Sequence, residues 1–134
     1  MPEKETLKRA EQDKREGKSP STQAGEFVRE EIHHIREGKH GAASSKQAIA
    51  IGLSKARRAG VDLALPKKGR VSEKTRKAAE RDSNRGHSRK KKAVSAKRSR
   101  SSERALKREP RSAASHKALS RQAKSAARTR RKAA

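Results

Sequence analysis

SPSTQAGEFVREEIHHIREGKHGAASSKQAIAIGLSKARRAG, residues 19–60, decides the fold. Ala24, Phe27, Val28, Ile32 and Ile35 recur at the spacing of one helix face. Ser19-Pro20 supplies an N-cap followed by Pro at the first helical position, and Gly38 stops the run. After KHGAA, Ser44 and Gln47 have the capping-box spacing that opens a second helix. That helix carries Ile49, Leu53 and Ala56 on one stripe and ends at Gly60. Lys55, Arg57 and Arg58 fall in its last turns, where cations favour the helix dipole. Val61, Leu63 and Leu65 alternate before Pro66, and are expected to fold back over the helices as an extended clasp. The pattern predicts a mostly α protein whose structured unit, residues 19–66, is a small αα-hairpin.

Upstream, residues 1–18 read as a charged helical arm. Glu5 with Arg9 and Glu11 with Arg15 are i,i+4 pairs in the favourable order, each contributing a few tenths of a kcal/mol. Leu7 and Ala10 are the arm's apolar contacts, so it is expected to fray or dock weakly before Gly17. Ile49 and Ile51 point about 200° apart on the second helix, so a lone hairpin buries one of them. Two arrangements cover the other: a four-helix homodimer of hairpins, or the arm laid over the second face. Gly52 permits close helix approach.

Downstream, residues 67–134 hold 26 Lys and Arg against five acids, a net of +21 within the chain's total of +24. Val71, Val94, Leu106 and Leu119 are the only apolar residues there larger than Ala. Ordering costs roughly 1–2 kcal/mol of backbone entropy per residue, and burying a large aliphatic returns about 1.5–3 kcal/mol. The stretch is therefore expected to be a long disordered basic C-terminal tail when free. Ser72–Asp82, Ser101–Arg108 and Ser112–Lys132 have latent helical character, separated by the breakers Asn84-Arg85-Gly86 and Glu109-Pro110.

Composition excludes several function classes. There is no Cys, hence no disulfide frame and no thiol nucleophile. The longest apolar stretch, Ala48 to Leu53, is far short of the roughly twenty residues a membrane span needs, and the N-terminus lacks the apolar core of a signal peptide. No membrane partner is expected, and the localisation expected is cytoplasmic and nucleoid-associated. No nucleophile–base arrangement and no glycine-rich nucleotide loop is present, so the chain reads as a non-enzyme. His33, Glu37 and His40 offer metal-ligand types near one helix end, but HExxH is absent and His34 faces away from His33. Surface histidines account for them, so neither metal nor cofactor is expected.

A stretch this cationic repels itself unless a polyanion neutralises it. Nucleic acid is the matching partner, with roughly one phosphate per 1.7 Å of duplex axis. The candidate phosphate contacts are Lys67, Lys68, Arg70, Arg89, Lys90, Lys91, Lys92, Lys97, Arg98, Arg100, Arg128, Arg130, Arg131 and Lys132. Ser44 and Lys46, at the start of the second helix, with Arg57 and Arg58 at its end, are auxiliary phosphate candidates. The basic half lacks Phe, Tyr and Trp, so it has no stacking platform for single strands. Duplex DNA contacted through its backbone, with little sequence preference, follows. Gln47, Ser54 and Arg58 share a helix face that would be needed for base reading, against a loop longer than a helix-turn-helix uses.

EFVREEIHHIREGKHG (Glu26–Gly41) followed by KQAIAIGLSKARRAG (Lys46–Gly60) resembles a family of small basic bacterial proteins built on a short domain of unknown function. Its members are commonly labelled DNA-binding or plasmid-stabilisation proteins. The resemblance covers about residues 19–66 and carries no site residues across. In composition the basic half is also similar to linker-histone tails, though richer in Arg and with only Pro110 after residue 66. The resulting expectation is a histone-like, nucleoid-associated or plasmid-maintenance protein that neutralises DNA phosphates through its tail. The alternatives are an interaction adaptor that docks a protein through the hairpin at Ile51, and a ribosome- or RNA-associated protein.

Overall fold

Backbone punctuation sets the helix lengths. A computed structural model describes residues 2–88 and 95–133. Among these, α1 spans Lys4–Arg15, α2 Pro20–Arg36, α3 Ser45–Arg58, α4 Glu73–His87, α5 Ala96–Lys107 and α6 His116–Ala133. A single 3-10 turn lies at Ser112–Ala114. The only extended pairing among the described residues is an isolated bridge between Lys68 and Val71. α1, α2 and α3 stop alike. In α2, Gly38 N–H bonds Ile35 O at 3.1 Å and Lys39 N–H bonds His34 O at 3.0 Å. In α3, Gly60 N–H bonds Arg57 O at 3.1 Å and Val61 N–H bonds Ala56 O at 3.0 Å. This is the Schellman pattern, which requires the positive φ of Gly38 (80°) and Gly60 (96°).

The chain divides into two compact units, one made of Met1–Glu30 and Ile51–Ala93, the other of Glu31–Ala50 and Val94–Ala134. In the first unit Ala10, Ala24, Phe27, Ala56 and Val61 form the core, with Leu53 and Leu63 packed against it. The clasp therefore closes as the alternation of Val61 and Leu63 predicts. Gly52 lets α3 approach α2: a β-carbon there would stand 2.7 Å from Val28 Cα. α1 is docked rather than frayed. Ala10 and Thr6 are buried, Thr6 Oγ1 donates to Glu30 Oε1 at 3.2 Å, and Arg9 pairs with Glu26 at 2.9 Å. Arg9 thus bonds across to α2 instead of along α1 to Glu5. α4 begins at the N-cap Ser72, whose Oγ accepts from Thr75 N–H at 3.2 Å. It buries Ala79, and Asp82 accepts from Ser54 Oγ at 2.6 Å. Gly86 is not a breaker; it lies inside α4, where a β-carbon would stand 1.9 Å from the Arg57 carbonyl oxygen.

In the second unit, Ile32, Ile35, Ala42, Ala48, Ala113 and Ala114 are buried. Residues far apart in sequence exchange hydrogen bonds. Arg36 Nε donates to Ala114 O at 2.9 Å, and Arg111 Nε donates to Ile35 O at 3.3 Å while its Nη2 donates to Arg36 O. Gly41 N–H bonds Leu106 O at 2.8 Å and Ala42 N–H bonds Pro110 O at 3.0 Å. Ser45 Oγ donates to Ala113 O.

Two expectations are corrected. The fold is not a two-helix hairpin, and no long disordered basic tail is present among the described residues: α4, α5 and α6 are built from it. The entropy argument counted only large aliphatics. It missed Ala79, Ala113 and Ala114, which are buried without side-chain entropy cost. It also missed the backbone partners gained by Arg36 and Arg111, each hydrogen bond contributing roughly 0.5–1.5 kcal/mol net. Ile49 and Ile51 are both half-buried, one in each unit. Each is partly covered within its own unit.

Candidate nucleic-acid interface

Helix α6 carries seven Lys and Arg and no acid. Lys117, Arg121, Lys124, Arg128 and Arg131 follow the spacing i, i+4, i+7, i+11, i+14. At 100° per residue they fall within an arc of about 80°, along roughly 21 Å of axis. All five are exposed. Lys124, Arg128 and Arg131 line an open groove with Ala123 and Ala127. The small alanines leave the cationic heads unshielded. Lys132 sits at the edge of the stripe, whereas Arg130 points to the opposite side. Lys117, Arg121 and Lys124 were not picked out from the sequence, yet their spacing alone places them in line with Arg128 and Arg131.

α5 presents a weaker version. Lys97, Arg100, Arg104 and Lys107 share a side and are exposed, but Glu103 adjoins them and pairs with Lys107 at 3.5 Å. Arg98 lies off that side. Lys67, Lys68 and Arg70 are exposed in the segment between α3 and α4. Arg89, Lys90, Lys91 and Lys92 lie outside the described residues.

The auxiliary candidates divide. Lys46 is exposed on the first turn of α3. Ser44 Oγ accepts from Gln47 N–H at 3.1 Å, and Gln47 Oε1 accepts from Ala43 N–H at 2.6 Å. The helix start is therefore capped by its own side chains, which leaves Ser44 in a structural role. Arg57 is only 7% exposed, and its Nη2 donates to Ala64 O at 3.0 Å. Burial pushes its guanidinium below the ordinary arginine range, partly offset by the Asp82 carboxylate. It does not reach a phosphate from there. Arg58 is half-buried, with Nε 3.9 Å from Asp82 Oδ1. The base-reading face fails for the same reason: Ser54 and Arg58 face Asp82, and Gln47 caps.

Near the end of α2, the metal-ligand types converge in a combination other than the one weighed from sequence. His33 and Glu37 are exposed. Glu31, His34 and His40 instead bring one ligand atom each within 4.8 Å of one another. Their spacing, Glu31-x-x-His34, was the available signal; the chain reversal at Gly38 that returns His40 was not readable as a distance.

Residues 13–69 match a family of unknown function, DUF6496. The matched stretch includes α2, α3 and the clasp, and excludes α5 and α6. The match supports the resemblance to a domain of unknown function; it lends nothing to the DNA-binding or plasmid labels. No curated protein and no solved structure matches the chain. No described helix is long and apolar enough to cross a membrane.

Proposed function

We propose that the protein binds duplex DNA without sequence preference, through backbone phosphates, with α6 as the principal contact. The observation that supports this is the five-cation stripe Lys117–Arg121–Lys124–Arg128–Arg131 on a helix free of acids. Such a stripe displaces counterions from a polyanion, and an α-helix fits the width of a major groove. The stripe carries no Asn or Gln to read adenine and no acid to read cytosine, and its long cations reach the backbone phosphates, so the contacts position the helix with little sequence preference. α5, Lys46 and the Lys67–Arg70 segment add further cations. A protein that coats duplexes in this way suits a nucleoid-associated or plasmid-maintenance role.

The test is a salt-series titration of the full chain against duplex DNA, single-stranded DNA and structured RNA. Duplex affinity falling log-linearly with salt, and unchanged on shuffling the sequence, supports the reading. A flat salt dependence, or a strong preference for RNA, overturns it.

A further inference from the structure

Glu31 is the most buried carboxylate of the second unit, with 1% of its surface exposed. It sits in the C-terminal half of α2, towards the negative end of the helix dipole, where an anion is disfavoured. A carboxylate in that position needs positive charge close by. Two imidazoles stand beside it. Glu31 Oε2 lies 3.1 Å from His40 Nε2, and a ring nitrogen of His34 completes the cluster within 4.8 Å. The His34 and His40 rings meet edge-to-face with centroids 6.1 Å apart.

The orientation of His40 is fixed from behind. Its Nδ1 lies 2.9 Å from the Gly41 carbonyl oxygen. A carbonyl accepts only, so Nδ1 carries the hydrogen. Gly41 is held in turn by its N–H bond to Leu106 O. In a ring with one hydrogen, Nε2 then directs a lone pair at a carboxylate oxygen. A cation between the two atoms removes that repulsion. The arrangement reproduces a recurrent metal-site feature, in which the ligating imidazole donates its other N–H to a backbone carbonyl.

We propose that Glu31, His34 and His40 bind a divalent transition-metal ion, with zinc the best match to two imidazoles and one carboxylate. Three protein ligands leave a fourth position for water. The ion clips the loop after α2 to the helix itself, and so steadies the backbone that bonds Leu106 and Pro110. This site is independent of the nucleic-acid reading.

The experiment is zinc titration of metal-free full chain by calorimetry, with thermal melts run alongside. The expected result is saturable uptake of one zinc per chain and a zinc-dependent rise in Tm. His34→Ala, at a half-buried position, and His40→Ala are expected to weaken zinc by at least about tenfold and abolish the rise. His33→Ala, exposed and outside the cluster, is expected to leave both unchanged. Circular dichroism without zinc establishes that the variants remain helical. Absence of saturable uptake overturns the proposal. Equal weakening by His33→Ala also overturns it, because binding would then belong to surface histidines generally.

Discussion

Helices α4 and α6 come from the same cationic half and both mix Ala with Lys and Arg, but they differ in charge balance and burial. α4 holds five basic and three acidic residues; α6 holds seven basic and none. One of the α4 acids, Asp82, faces Ser54 and Arg58, and Ala79 and Gly86 complete the packed side. The described residues of α6 include no buried side chain, and five of its seven bases share one exposed stripe. Net charge summed over the half hides this distinction. Acids accompany the helix with the buried side chain; under the proposed function, their absence suits α6 to an anionic partner.

The largest effect expected bears on that contrast. Changing Lys117, Arg121, Lys124, Arg128 and Arg131 together to Gln, a good helix former, should flatten the salt dependence of duplex binding. The slope of log affinity on log salt should fall by about 0.9 for each lost phosphate contact, about 4.5 in all. Circular dichroism should be unchanged. The companion variant Lys74→Gln, Lys77→Gln and Arg81→Gln on α4 should change the slope by less than about 1. If the α4 variant weakens binding as much per residue as the α6 variant, the two helices are equivalent and the comparison breaks.

Stability tests sharpen it from the other side. Gly86→Leu drives a side chain into the Arg57 carbonyl and should cost about 3 kcal/mol by overpacking, read as a lowered denaturant midpoint. Asp82→Ala removes the charge-assisted hydrogen bond from Ser54 and should cost about 1.5–2 kcal/mol on the same measurement. Neither should alter the α6-dependent salt slope once folded protein is compared.

The smallest effect expected is electrostatic. The Gln12 hydrogen bond, and then Lys18, hold the Glu16 carboxyl below its ordinary range. Its contribution is present above the ordinary carboxylate range and fades as pH falls through the lowered value. Lys18 is shifted upward by Glu16 and Asp13. Its contribution is present below the ordinary lysine range and is lost as pH rises through the raised value. Both groups are exposed, where solvent screens the pair, so Glu16→Gln should leave the thermal melt at neutral pH indistinguishable from the parent's.

Legibility of the fold followed the range of the interaction. The ends of α1, α2 and α3 were readable because Gly17, Gly38 and Gly60 act within one turn of the helices they stop. Gly52 against Val28 was readable because the αα-hairpin implied it. The α4–α6 region was not, because its packing depends on small side chains and on partners about 75 residues away, such as Arg36 with Ala114 and Arg111 with Ile35. Of the site, the chemistry of the contacts was legible and their grouping was not. Arg57 looks like any helix-terminal cation until the clasp folds over it. Glu31 and His34 become partners of His40 only after the chain turns.

α2 changes unit after Glu30, and α3 after Ala50. Each unit is therefore stitched from two separate lengths of polypeptide. A premature stop codon just beyond Pro66 would cut the second length of one unit short and remove that of the other. The basic half could not be transplanted onto another protein as a detachable label.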